Sequence, residues 1–124
     1  MVKLYLDDIR TPDGSFHLVR NYEEFVEWIE KNGLPDLVSF DHDLAEIHYD
    51  PSTWTEGFEY SEKTGYSAAT WLVEHCMYNK LEMPYCQVHS QNPVGSENIR
   101  VLINNYYKTF SIDKVCRQTA PNGY

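Results

Sequence analysis

The sequence predicts an α/β fold with a doubly wound parallel sheet, on three observations. Short β-rich apolar runs alternate with stretches of helical periodicity, the order that builds parallel sheets. The run Leu37-Val38-Ser39-Phe40 is short and nearly continuous in apolar character, as buried parallel strands are. Three such runs end in polar clusters: Asp7-Asp8, Asp41-His42-Asp43 and His89-Ser90-Gln91-Asn92. Ligands in open parallel sheets bind beyond the carboxyl ends of the strands, so this fold would gather the three clusters.

Taken in order, residues 2–6 read as the first strand, in the sheet interior. A loop follows, because Pro12 and Asp13-Gly14 are strong breakers. Residues 16–20 are a short second strand nearer an edge. Residues 21–32 form the clearest helix: Asn21 is its N-cap, and Glu24 sits where it can close a capping box. Tyr22, Phe25, Val26 and Ile29 make its apolar stripe, Gly33 its C-cap, with Pro35 just beyond. The third strand covers 37–41. Residues 45–64 lack periodicity and read as a long acidic, aromatic loop beside the strand-end carboxylates. Its aromatics either cover a site or anchor the loop to the body. Residues 66–78 are the second helix, with Ala68, Ala69, Leu72 and Cys76 toward the sheet. The fourth strand is 85–88, and a third helix runs from 93 to about 110 on a stripe of Ile99, Leu102, Ile103, Tyr106 and Phe110. Residues 112–117 make a short last strand, which closes one domain over 1–118 and leaves 119–124 as a tail.

Composition sets the outer bounds. At 124 residues and 42% hydrophobic content the chain is the size of one domain with one core. No apolar run approaches the ~18 residues of a membrane span, and the start does not read as a signal peptide. Cys76, Cys86 and Cys116 are odd in number and widely spaced, which argues for a reducing compartment, so a cytoplasmic location is expected. They form no Cys-x-x-Cys pair, and His17, His42, His48 and His75 give no convergent zinc spacing. A net charge of −9 opposes duplex nucleic acid as a partner but leaves room for a small phosphate ligand at a metal-neutralised spot.

The strand-end acids carry the chemistry. Residues two apart on extended chain face the same way, so Asp41 and Asp43 would lie together. Two carboxylates at about 4 Å and an effective dielectric of ~20 repel by roughly 4 kcal/mol, a large share of a small domain's stability. A cation or a proton is therefore implied. Asp7, Asp8, Asp41 and Asp43 make an all-oxygen set, which suits a hard divalent ion such as Mg²⁺ or Mn²⁺. His89 closes a strand beside Ser90; it is either packed in the core or able to relay a proton to a leaving alkoxide. Ser90 can donate to a phosphoryl oxygen. Asn92 precedes Pro93 and is either a helix cap or part of an anion site at that helix start. Arg10 either grips phosphate or pairs with an acid.

These motifs resemble the receiver domains of two-component response regulators. By that resemblance the fold is a receiver/flavodoxin-like three-layer sandwich. Asp7 and Asp8 correspond to the acidic metal pair, Asp41 to the phospho-acceptor and Ser90 to the phosphoryl-contacting hydroxyl. The chain departs from receivers in fitting no helix between its first two strands and in lacking the Lys-Pro after the fifth, with only Lys114 or Arg117 nearby. It resembles more closely the receiver-like family of cyclic-phosphate-processing domains, over roughly residues 2–107. The resemblance rests on Leu6-Asp7-Asp8-Ile9-Arg10-Thr11-Pro12, Phe40-Asp41-His42-Asp43-Leu44, Gly65-Tyr66, and Val88-His89-Ser90-Gln91-Asn92-Pro93-Val94-Gly95 with Asn98 following.

That family resemblance implies hydrolysis of a cyclic phosphate, an RNA 2′,3′-cyclic end or a cyclic nucleotide. The expected metal ligands are Asp7, Asp8, Asp41 and Asp43; Asp41, His89 and Ser90 carry catalysis, Asp41 as a ligand or as the attacking group. Arg10, Ser90, Asn92 and Asn98 hold the phosphate. Competing readings are a non-catalytic receiver-like signalling or phosphate-binding module, a haloacid-dehalogenase-type phosphatase suggested by Asp41-x-Asp43, and a structural interaction protein.

Overall fold

The computed structural model describes residues 1–8, 10–12, 14–41, 64–90 and 92–119. The chain order is β1 (Lys3–Leu6), β2 (Phe16–Val19), α1 (Tyr22–Asn32), β3 (Leu37–Phe40), α2 (Gly65–Asn79), β4 (Tyr85–Val88), α3 (Pro93–Thr109) and β5 (Arg117–Gln118). The strands form one five-stranded sheet in the order β2-β1-β3-β4-β5, parallel at every pairing. This is the flavodoxin-like doubly wound order, with the direction of winding reversing at β1.

The winding direction also says where the helices go. From β2 onward every crossover steps the same way along the sheet, and parallel crossovers are right-handed, so α1, α2 and α3 share one face. The core agrees. Leu4, Leu6, Val38, Phe40, Cys86 and Val88 cluster with Phe25, Ile29, Leu72, Ile99 and Ile103 of the helices. Tyr5, buried on the opposite face, stands outside that cluster. Helices were expected on both faces; among the described residues they occupy one. Among the described residues, the step from β1 back to β2, which would cover the other face, contains no helix.

Local chemistry sets the helix ends. The Asn21 side chain accepts from Glu24 N at 2.8 Å, as its cap position predicts. Glu24 Oε1 reaches back one residue further than expected, to Arg20 N at 2.9 Å. Gly33 closes α1 at φ 87°, where a side chain would strain the backbone. Thr64 and Ser67 form a reciprocal capping box, so α2 starts at Gly65, one residue before the predicted start. Asn92 Oδ1 accepts from Gly95 N at 2.9 Å, with Pro93 opening α3. Phe110 does not belong to the buried stripe of α3: it follows the last helical residue and is half exposed, and Tyr107 is buried instead.

The last strand is shorter and later than 112–117. Asn104 occupies both backbone groups of Cys116, accepting from its N at 2.7 Å and donating to its O at 3.2 Å, so pairing with β4 starts only at Arg117. Thr119 N extends the ladder to Val88 O at 2.7 Å, which ties down the first residue of the predicted tail. Residues 120–124, and all of the long loop but Thr64, lie outside the described residues.

Candidate metal centre

Strand register builds the site. Leu6, Phe40 and Val88 end their strands on one row of the sheet. The ladder runs one rung further: Asp41 N donates to Leu6 O and His89 N to Phe40 O, each at 2.9 Å. Asp7, Asp41 and His89 are therefore neighbours on the next row, although the chain separates the first and last by 82 positions. Side chains alternate along a strand, so these three leave on the face of Tyr5, Ser39 and Gln87, opposite the helices.

All three are buried, at 0%, 5% and 0% exposure, and each offers a ligand atom within 4.8 Å of the others. Asp7 is the most heavily engaged. Its Oδ1 accepts from Arg10 N at 2.9 Å, and its Oδ2 lies 3.3 Å from Arg10 Nη1 and 3.0 Å from His89 Nε2. Arg20 straps the loop that carries Arg10, donating to Asp7 O, Arg10 O and Thr11 Oγ1 at 3.0–3.3 Å.

Burial, and after it the charge of Asp7, pushes the Asp41 carboxyl up to about 6; His89, a hydrogen bond from Ser90 and Arg10 act in the opposite direction without cancelling the rise. Two buried carboxylates side by side, with the charge of one helping to raise the other, are a fit site for a divalent cation, which commonly takes one or two carboxylates and completes its shell with water and phosphate oxygens.

Ser90 is buried beside Asp41; its Oγ accepts from Asn92 N at 3.1 Å, and its carbonyl accepts from Ser96 Oγ at 3.3 Å and Gln118 Nε2 at 3.2 Å. Asn92 Oδ1 is committed to the helix cap. Arg10 pairs with Asp7 while keeping a quarter of its side chain exposed. Asp8 is half-buried in the bend after Asp7 and is not one of the three clustered residues; Asn98 is exposed on α3. Asp43, the fourth expected ligand, lies outside the described residues. Lys114 is held at the opposite end of β4, on Glu82 Oε1, Met83 O and the Tyr85 ring, and so is no stand-in for the receiver lysine.

Sequence reasoning missed Ser39, Gln87 and Arg20. Gln87 Nε2 donates to Ser39 Oγ at 3.1 Å, and Ser39 Oγ lies 2.7 Å from His89 Nδ1. The signal was present: each is a polar residue inside a buried strand, two positions before a strand-end polar group and hence on its face. Arg20 left no such trace, since its partners are mostly backbone carbonyls.

A parallel α/β sheet in flavodoxin-like order, with two buried carboxylates on adjacent strand ends, defines a receiver-like domain. More narrowly, the chain belongs to the cyclic-phosphate processing receiver domain family, whose model matches residues 2–105. No curated protein and no solved structure matches the chain. Among the described residues no helix is long and apolar enough to cross a membrane.

Proposed function

We propose that this protein is a phosphodiesterase that opens a cyclic phosphate, with Mg²⁺ or Mn²⁺ held by Asp7 and Asp41 and, from the adjoining segments, Asp8 and Asp43. The observation that carries the reading is the burial of Asp7 and Asp41 side by side, with the Asp41 carboxyl pushed up to about 6. When bound, the cation offsets phosphate charge and acidifies a coordinated water. The reaction adds water across one P–O ester bond: hydroxide goes to phosphorus, and the released ribose oxygen takes the proton. Arg10, partly exposed above Asp7, and Ser90, beside Asp41, are the groups suited to hold phosphoryl oxygens. Asn92 and Asn98 would act from the start of α3. His89 presents no exposed N–H to a substrate, so its part is played through Asp7.

The substrate we favour is a 2′,3′-cyclic nucleotide or the cyclic end of a single RNA strand. That choice rests on the cyclic-phosphate processing family to which the chain belongs and on the net charge of −9, which opposes duplex nucleic acid.

The test is turnover of 2′,3′-cyclic nucleotides with Mn²⁺. The expected results are cleavage to a monoester, its loss on chelation, and a fall of at least about a hundredfold in Asp41→Asn. Cleavage that Asp41→Asn leaves unchanged would defeat the reading. Tight binding with no cleavage would instead make the protein a phosphate-ligand module.

A further inference from the structure

We propose that Ser39 and Gln87 are positioning residues: they fix His89 as the tautomer protonated on Nε2, so that His89 donates to Asp7 and is not itself a ligand of the cation. The part about the cation rests on the function proposed above; the tautomer assignment does not.

Counting protons assigns the relay. The Gln87 amide nitrogen can only donate, so Ser39 Oγ spends a lone pair on it at 3.1 Å. Among the described residues Ser39 Oγ has one other partner, His89 Nδ1 at 2.7 Å, and its single proton goes there. Nδ1 is then an acceptor, which puts the ring proton on Nε2, 3.0 Å from Asp7 Oδ2. Every donor in this arrangement meets an acceptor. The opposite tautomer would aim a bare nitrogen lone pair at a carboxylate oxygen and leave the Ser39 proton unused. Ser39, His89 and Asp7 are each 0% exposed, so water cannot repair either fault.

The sheet holds the ring in place. Tyr5 stacks on His89 with centroids 4.1 Å apart and planes 11° from parallel. Tyr5 and Ser39 are register partners on β1 and β3, and Ser39 and Gln87 on β3 and β4. One row of the sheet thus supplies the plate under the imidazole and the chain that sets its proton. The next row receives the result at Asp7. A nitrogen that carries a proton offers no lone pair to a metal, so the three clustered residues divide into two ligands and one orienting donor. Outer groups of this kind typically change metal affinity by about 10–100-fold when removed.

The experiment is a long-range ¹H–¹⁵N correlation spectrum of the histidine rings in metal-free protein, with His89 assigned by loss of its signals in His89→Gln. The expected pattern is a protonated Nε2 and a bare Nδ1. In Gln87→Glu, nearly isosteric and only half-buried, the carboxylate takes the Ser39 proton and turns a lone pair toward Nδ1. The ring proton then moves to Nδ1, or both nitrogens carry one, and Mn²⁺ affinity drops by about tenfold or more. Should Gln87→Glu fail to fold, Ser39→Ala removes the hydroxyl that donates to Nδ1 without adding charge and must also change the ring signals. A wild-type ring protonated on Nδ1, or on both nitrogens, overturns the assignment. So do ring signals that neither variant moves. Absence of phosphodiesterase activity touches none of these readouts.

Discussion

Leu4, Leu6, Val38, Phe40, Cys86 and Val88 point to one face of the sheet; Tyr5, Ser39 and Gln87, one residue away on the same strands, point to the other. The first set is apolar, buried under three helices and held by packing. In the second, Ser39 and Gln87 are joined to each other and to His89 by hydrogen bonds while Tyr5 stacks on the His89 ring, and the set leads directly to Asp7, Asp41 and His89 on the next row. Burial by itself therefore does not distinguish core from site here, since Phe40 and His89 are equally hidden. What distinguishes them is whether the buried atoms need partners. An apolar face stabilises through area; a polar buried face stabilises only if every donor and acceptor is matched.

Substitutions on the two faces should separate these modes. Phe40→Ala should cost the most, about 3–5 kcal/mol in urea unfolding, because it empties the centre of the helix-covered face against Phe25. A loss below about 1 kcal/mol would mean that this face is not the core. Ser39→Ala, next to it in sequence, removes little area but leaves Gln87 and His89 Nδ1 short of a partner, and should cost about 1–3 kcal/mol. A neutral result there would break the contrast between the faces.

Much of the apolar face was legible in the sequence and much of the polar face was not. The stripe of α1, the caps at Asn21 and Asn92, and strand β4 all follow from local rules about spacing and capping. The strand-end clusters were legible too, because a run of apolar residues that stops at Asp7, at Asp41 or at His89 marks its own end. Registration across strands was not. Nothing local to Ser39 says that it faces Gln87 on one side and Tyr5 on the other. The last strand failed for a related reason: Asn104, 12 positions away, decides when Cys116 is released to pair. The one-sided helix layer was implicit in the missing helix after β1, but the consequence shows only once strand order is known.

Asp41 gives a smaller effect of opposite sign. Its carboxyl is raised from 3.8 to about 6 in the folded protein, so folding favours the protonated form. That contribution is fully present below about pH 4 and is lost as pH rises through about 6. Without metal, wild type should therefore lose stability across this window relative to Asp41→Asn. At pH 7 the variant should be the more stable by roughly 1–2 kcal/mol. Parallel pH–stability curves for the two proteins would remove the electrostatic half of the account. The smallest change is expected at a helix end: Thr64→Ala breaks the capping box of α2 and should cost about 1 kcal/mol, with no change in metal affinity.

The central claim is that Asp7 and Asp41 together hold a divalent cation, and the free-Mn²⁺ signal in an electron paramagnetic resonance titration reads it directly. The account predicts saturable binding by the wild-type protein, weakened by at least about tenfold in Asp41→Asn even though that variant is the more stable without metal. Wild-type protein that leaves the Mn²⁺ signal untouched, or an Asp41→Asn variant that binds as tightly, would contradict it.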